Sequence, residues 1–234
     1  MPNLGFRFQQ FFVKHENCAH KVGTDGVILA AWANLEGARQ ILDIGSGSGL
    51  IALICAQRLP EGLIIGIEQD LPAYQESLEN VAKSPFGNRI EVQHADFTKI
   101  NLSKQFDAII SNPPFFKGTT SSGKLSRDQA RATEALPHSI LAQKSAKLLS
   151  EKGTLHLILP KTEAQDFIEL AQKNHLYLKR RCKVYGKPKA DDKRWMLSFS
   201  SVQSDKTQEE SLYLRDENLN YSAHYKALTK NLYL

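Results

Sequence analysis

An apolar run at residues 40–44 ends in three glycines spaced two apart, Gly45, Gly47 and Gly49, and a second apolar stretch opens at Leu50. Glycine tolerates positive φ and lets backbone approach a ligand closely, so this spacing specifies a tight turn from a strand into a helix. A chain with that turn is committed to a βα unit. Further along, short apolar runs at 63–68, 90–94, 106–111 and 153–159 predict strands, and 50–58, 73–84 and 139–149 predict helices between some of them. Such alternation gives an α/β fold with a parallel sheet. After Pro160 the pattern predicts a helix at 163–174. Two β-like runs follow, 176–185 and 194–202, joined by the basic loop 186–193, and they form a hairpin closing the sheet edge. The polar stretch 203–211 is expected to be a flexible link to the tail.

With 234 residues and 41% hydrophobic content, the chain can bury one sizeable core. A single domain is therefore expected, with 1–39 as an N-terminal segment, 40–202 as the core and 203–234 as a tail. Residues 44–57 are uncharged but fall short of the roughly 20 apolar residues a membrane span needs. The first 18 residues mix Phe with Arg7, Lys14, Gln and His and have no continuous apolar core of the signal-peptide kind, so a cytoplasmic location is expected. Cys18, Cys55 and Cys182 are widely spaced and include no Cys-x-x-Cys pair, and the histidines lack metal-binding spacing. Neither disulfides nor a metal is expected.

The glycine loop departs from the dinucleotide fingerprint: Leu50 stands where the third glycine would be needed. The acidic Asp43 precedes the turn, and an anionic side chain there suits a cationic amino-acid moiety better than a pyrophosphate. Glu68, about 20 residues on at the end of the next strand, can accept from both hydroxyls of a ribose. Asp96, after the third strand, can accept from an adenine amino group, with Phe97 beside the ring. Jointly these residues resemble the seven-stranded, Rossmann-like S-adenosylmethionine methyltransferases over residues 41–160. The resemblance implies that Asp43, Gly45 and Gly47 surround the methionine part, that Glu68 binds ribose and Asp96 adenine, and that the last strand of the sheet is antiparallel.

After the fourth strand comes Ser111-Asn112-Pro113-Pro114-Phe115-Phe116. Two prolines fix φ and remove donors, so the Asn112 side chain and the Pro113 carbonyl project as acceptors. An aromatic amino nitrogen is a poor nucleophile because its lone pair is delocalised. Two acceptors gripping its hydrogens favour a pyramidal nitrogen aimed at the methyl donor, and Phe115 can stack on the base. This motif resembles that of methyltransferases acting on planar nitrogens: adenine N6, guanine N2 or a glutamine side-chain amide.

The basic residues of 179–194, among them Arg180, Arg181 and Lys183, suggest a polyanionic partner, and Arg127 and Arg131 at i, i+4 spacing are further candidate phosphate contacts. Four segments carry a resemblance running nearly end to end: Phe6-Arg7-Phe8-Gln9-Gln10-Phe11, residues 21–33, residues 127–131 and the tail 225–234. They are similar to the bacterial family that methylates N6 of the adenosine just 3′ of the anticodon in valine tRNA, which implies a tRNA partner. That family's tail ends Leu-Thr-Lys-Asp-Phe-Tyr-Leu, so Asn231 and Leu232 are departures. The alternatives are a glutamine N5-methyltransferase of release factors and an rRNA amino-group methyltransferase. The first usually carries an extra N-terminal helical domain, whereas about 40 residues precede the first strand here. Phe6, Phe8, Phe11 and Phe12 are expected to pack the N-terminal segment onto the core. Thr24 or Asp25 can either cap a helix beginning at Gly26 or contact the cofactor.

Overall fold

The computed structural model describes residues 5–18, 21–114, 136–203 and 206–233. Phe115, Arg127 and Arg131 lie outside the described residues. A short antiparallel hairpin, β1 (Gly5–Arg7) and β2 (Phe12–Lys14), precedes helix α1 (Thr24–Trp32). The main sheet then begins with β3 (Gln40–Ile44), α2 (Leu50–Arg58), β4 (Leu63–Glu68), α3 (Leu71–Ala82), β5 (Ile90–His94) and β6 (Phe106–Ser111). It continues with α4 (His138–Leu148), β7 (Leu149–Pro160), α5 (Lys161–Lys173), β8 (Tyr177–Tyr185), β9 (Asp192–Ser200), β10 (Gln208–Tyr213) and α6 (Ala223–Thr229).

The strand order is β10-β8-β9-β7-β6-β3-β4-β5, and β9 alone in this sheet runs antiparallel to its neighbours. The α/β fold with a mostly parallel sheet is as expected, and the antiparallel strand that the resemblance implies is β9, which the parallel β10 follows in the chain. Strand β3 shows why: Ile41, Leu42 and Ile44 are each at most 1% exposed although they point to both faces. One face packs on α1, α2 and Val81 of α3, and the other on Leu141 and Ala142 of α4 and on Ala164 and Phe167 of α5.

Two expectations need correction at the sheet edge. The stretch 203–211 is not simply a link, because Gln208–Tyr213 forms β10. The β8–β9 hairpin is therefore not the edge: β9 inserts between β7 and β8, and β10 adds an eighth strand parallel to β8. Side-chain charge explains this pairing. Arg180 Nε donates to Glu210 Oε1 at 3.0 Å, and Arg181 Nη2 donates to Glu209 Oε1 at 2.7 Å, so acids in a polar stretch become partners of the basic strand.

The two ends of the chain meet. Phe8 and Phe11 are buried and stacked, and Phe8 also stacks on Tyr233. Phe12 does not pack as expected: strand alternation turns it outward, leaving it 41% exposed beneath the Arg7 guanidinium. Leu232 is buried in the same cluster, and the Asn231 carbonyl accepts from Gln57 Nε2, so the departures in the tail preserve its docking.

Candidate active site

A cleft of about 620 Å3 opens where β3, β4, β5 and β6 end. This is where an open parallel sheet offers loop backbone and helix N-termini to a ligand. Gly45 and Gly47 adopt φ of 71° and 55°, and a Cβ built on either would meet nothing within 4 Å. The glycines therefore leave room above the loop as well as allowing its turn. Gly66 serves the same loop from below: a Cβ there would lie 2.8 Å from Ser46 Oγ.

Asp43 sits beneath this loop rather than in the cleft wall, and it is fully buried. Its Oδ2 accepts from Ser46 Oγ at 2.9 Å and from the Ala52 N–H at 3.2 Å. The second bond satisfies a donor that the α2 N-terminus leaves open, since Gly49 has no side chain to cap it. Burial pushes the Asp43 carboxyl up to about 7, opposed by those two hydrogen bonds. Its Oδ1 has no hydrogen-bond partner among the described residues.

Glu68 lines the cleft at the end of β4. It accepts from the Gly47 N–H at 2.7 Å and the Asp70 N–H at 2.8 Å, which aims the carboxylate across the loop. Asp96 Oδ1 accepts from Thr98 Oγ1 at 2.7 Å and Thr98 N at 2.8 Å, and Lys99 lies 3.0 Å from Oδ2. The Thr98 side chain above all, with Lys99, holds this carboxyl below its ordinary range. Phe97 also lines the cleft, and the Lys144 ammonium stands 5.0 Å from its ring centroid. Lys144 further donates to the carbonyls of Phe97 and Ile100, each at 2.6 Å, fastening the loop that carries Asp96.

Asn112, Pro113 and Pro114 line the far side of the same cleft. Ser111 Oγ donates to the Ile44 carbonyl at 2.8 Å and so ties the end of β6 to β3. Asn112 Oδ1 is buried without a hydrogen-bond partner among the described residues. An acceptor in that condition costs about 1–3 kcal/mol until a donor arrives.

The N-terminal segment contributes a wall that the sequence left open. Cys18, Lys21, Val22, Gly23, Thr24 and Asp25 all line the cleft. Glu76 of α3 positions this wall by accepting from the N–H groups of Glu16, Asn17 and Cys18 at 2.8, 3.1 and 3.1 Å. Helix α1 begins at Thr24, two residues before the predicted Gly26, and its cap position is Gly23, with no side-chain cap. Thr24 and Asp25 therefore face the cleft rather than occupying the cap position. Asp25 pairs with Arg194 of β9, and both border the cleft mouth. Burial raises the Asp25 carboxyl while Arg194 opposes the rise.

Of the three basic residues singled out in the hairpin, Arg180 and Arg181 are engaged by Glu210 and Glu209. Arg180 also lies 4.3 Å from the Trp32 ring centroid. Lys183 stands opposite Ser211 and 5.9 Å from the Trp195 ring centroid. None of the three lines the cleft, whereas Arg194 does. Sequence reasoning missed Lys144, Glu76 and the Asp25–Arg194 pair because their partners lie far along the chain.

The open glycine cradle, the carboxylates at successive strand ends and the buried Asp43 fit a nucleoside carrying a cationic tail. Among the described residues, no group of three or more His, Cys, Asp or Glu could hold a metal ion. No helix of the described residues is long and apolar enough to cross a membrane.

Comparison with known proteins agrees with the geometry. The methyltransferase small domain matches residues 18–180. A tRNA1(Val) (adenine(37)-N6)-methyltransferase of Pseudoalteromonas translucida is 43% identical over 98% of this chain and 98% of its own length. One of the same name from Bacteroides thetaiotaomicron is 41% identical over 100% of this chain and 99% of its length. Among solved structures, a predicted O-methyltransferase from Agrobacterium tumefaciens superposes with a TM-score of 0.63 at 19% identity, covering 89% of this chain and 96% of that one. With its glycine loop, its three acids and full-length similarity to these relatives, the chain belongs to the tRNA1(Val) (adenine(37)-N6)-methyltransferase family.

Proposed function

We propose that this chain methylates N6 of an adenine in RNA with S-adenosylmethionine as donor, and that the adenine is the one just 3′ of the anticodon in valine tRNA. Asn112 carries the chemical part of this reading: its buried Oδ1, unpaired among the described residues, stands at the strand end where an amino donor would arrive. The names of relatives about 40% identical over nearly the whole chain support the choice of substrate.

The cofactor, when bound, supplies an electrophilic methyl group on a sulfonium. The remaining work belongs to the chain. Gly45 and Gly47 leave space for the donor, Glu68 accepts from ribose hydroxyls, and Asp96 with Phe97 holds its adenine. Asp43 keeps the loop in shape and places negative charge beneath a cationic moiety. Asn112 Oδ1 and the Pro113 carbonyl accept the hydrogens of the target amino group, which frees its lone pair for attack. No strong general base is required. The nitrogen becomes acidic only as it takes the methyl group, and its proton then passes to water.

Incubation of the protein with labelled S-adenosylmethionine and a valine tRNA transcript, followed by nucleoside digestion, tests this directly. The expected product is N6-methyladenosine, absent when the target adenosine is replaced by guanosine. Methylation of a release-factor peptide with tRNA left untouched would overturn the proposal.

A further inference from the structure

We propose that Tyr185 and Tyr213 form a stacking platform for an unpaired base of the substrate RNA's anticodon loop other than the target adenosine. The proposal rests on the RNA reading above and adds a second contact region to it. The two residues are register partners at the ends of β8 and β10. Their rings stack at 4.7 Å with an interplanar angle of 19°, and Tyr213 remains 39% exposed. A cross-strand aromatic pair stabilises the strands that carry it, and the Tyr213 ring, on the edge strand β10, stays partly exposed.

Position and charge point to the occupant. Both tyrosines lie at the cleft end of their strands. Leu214, next to Tyr213, borders the cleft and donates its N–H to the Tyr185 carbonyl at 2.9 Å. Arg194, which also borders the cleft, is in register with Val184 on β8. At the usual strand spacing, Tyr213 is thus roughly 10 Å across the sheet from Arg194 and roughly 19 Å from the end of β6, where Asn112 stands. The β8 face leading to the platform changes character along its length. Arg181 is neutralised by Glu209, Lys183 stands opposite uncharged Ser211, and Tyr185 stands opposite Tyr213. The adjoining turn adds Lys187 and Lys189 against Asp191, and β9 opens with Asp192, which Lys161 pairs, and Lys193. A net positive charge beside a partly exposed aromatic ring suits a single-stranded polyanion with splayed bases, which is what a tRNA loop presents. An acidic peptide would use the charges but not the stacked rings.

The test uses the full-length chain with valine tRNA. Tyr213→Leu keeps an apolar side chain on the strand and removes the ring, whereas Tyr213→Phe keeps the ring. Tyr213→Leu is expected to bind tRNA about tenfold more weakly, with the salt dependence and S-adenosylmethionine affinity of the wild type, because stacking releases no counterions. Tyr213→Phe should bind as the wild type does. A 2-aminopurine placed in turn at each other position of the anticodon loop should be quenched by wild-type protein at one position, and that quenching should be lost in Tyr213→Leu. If wild-type protein labels tRNA while Tyr213→Leu retains full affinity and quenching, the platform is wrong and the function stands. If the wild-type protein neither binds nor labels tRNA, the functional reading fails and the platform falls with it.

Discussion

The two halves of the cleft are held together by different kinds of contact. On the β3–β5 side, Asp43, Glu68 and Asp96 each accept backbone N–H groups within a few residues or one loop away: Ala52, Gly47 and Asp70, and Thr98. On the β6–β10 side, side chains far apart in sequence pair with each other, Asp25 with Arg194 at the cleft and Arg180 with Glu210 behind it, while Asn112 Oδ1 has no partner among the described residues. On the proposed reading, the first half is a preformed receptor whose carboxylates are fixed by backbone N–H groups. The second then keeps an acceptor in reserve for a group that arrives with the substrate. Catalysis gains from such reserve through the part of the contact that strengthens as the nitrogen pyramidalises and takes up positive charge, because only that part lowers the barrier beyond ground-state binding.

The largest expected effect lies in the second half. Asn112→Ala should lower turnover by about a hundredfold or more while leaving cofactor affinity near wild type. Single-turnover rates combined with calorimetric titration of S-adenosylmethionine separate the two quantities. A proportional loss of both would mean that Asn112 belongs to the cofactor half and would break the comparison.

The complementary change is Glu68→Ala, expected to weaken cofactor binding by about 1–3 kcal/mol through loss of charge-assisted hydrogen bonds. Its effect on tRNA affinity should be small. Unchanged cofactor affinity would remove Glu68 from the site, and the three strand-end acids would then no longer act as a set.

The same division explains what could be read from the amino-acid order. The glycine loop, Glu68, Asp96 and Asn112-Pro113-Pro114 are local signals: each acts through its own strand end, so hydrophobic periodicity and spacing were enough to bring them to one cleft. The site of Asp43 was legible but its setting was not, since only the packed structure puts its carboxylate under the loop instead of in the wall. Lys144 looked like any helix-face lysine until the fold brought it to the carbonyls of Phe97 and Ile100. Strand β10 was hidden because its Glu209 and Glu210 make a polar stretch, and they are favourable in a strand only where they pair with Arg181, directly opposite Glu209, and with Arg180, diagonal to Glu210.

Asp43 offers a pH test of how tightly the first half is coupled to its ligand. Burial raises its carboxyl to about 7, and a bound cation above the loop would favour the ionised form. Binding should therefore release a proton. Cofactor affinity should increase as pH rises toward 7, by at most about tenfold per unit, and level off above it. Calorimetry in buffers of different ionisation enthalpy reads the proton directly. A flat affinity profile between pH 6 and 8 with no proton release would show that Asp43 serves only to brace the loop and the start of α2.

The smallest effect is expected where the sequence suggested a large one. Arg180, Arg181 and Lys183 read as one basic cluster, yet Arg180 and Arg181 already spend their guanidinium donors on Glu210 and Glu209, and Lys183 stands opposite Ser211. A cation paired with a carboxylate must give up that partner before it can neutralise a phosphate, so it contributes little to counterion release. Lys183→Ala should thus make the salt dependence of tRNA binding shallower by about one unit of log slope if it meets a phosphate, whereas Arg181→Ala should change the slope by much less. Arg181→Ala should also cost under about 1 kcal/mol of stability, because Glu209 is half exposed and solvent replaces most of the pair. Filter binding across a salt series, with Glu209→Gln as the reciprocal variant, decides the point. Glu209→Gln frees Arg181 and should steepen the slope; if it does not, and Arg181→Ala flattens the slope as much as Lys183→Ala, the pairing with β10 gives way to RNA and the whole basic strand belongs to the substrate half of the molecule.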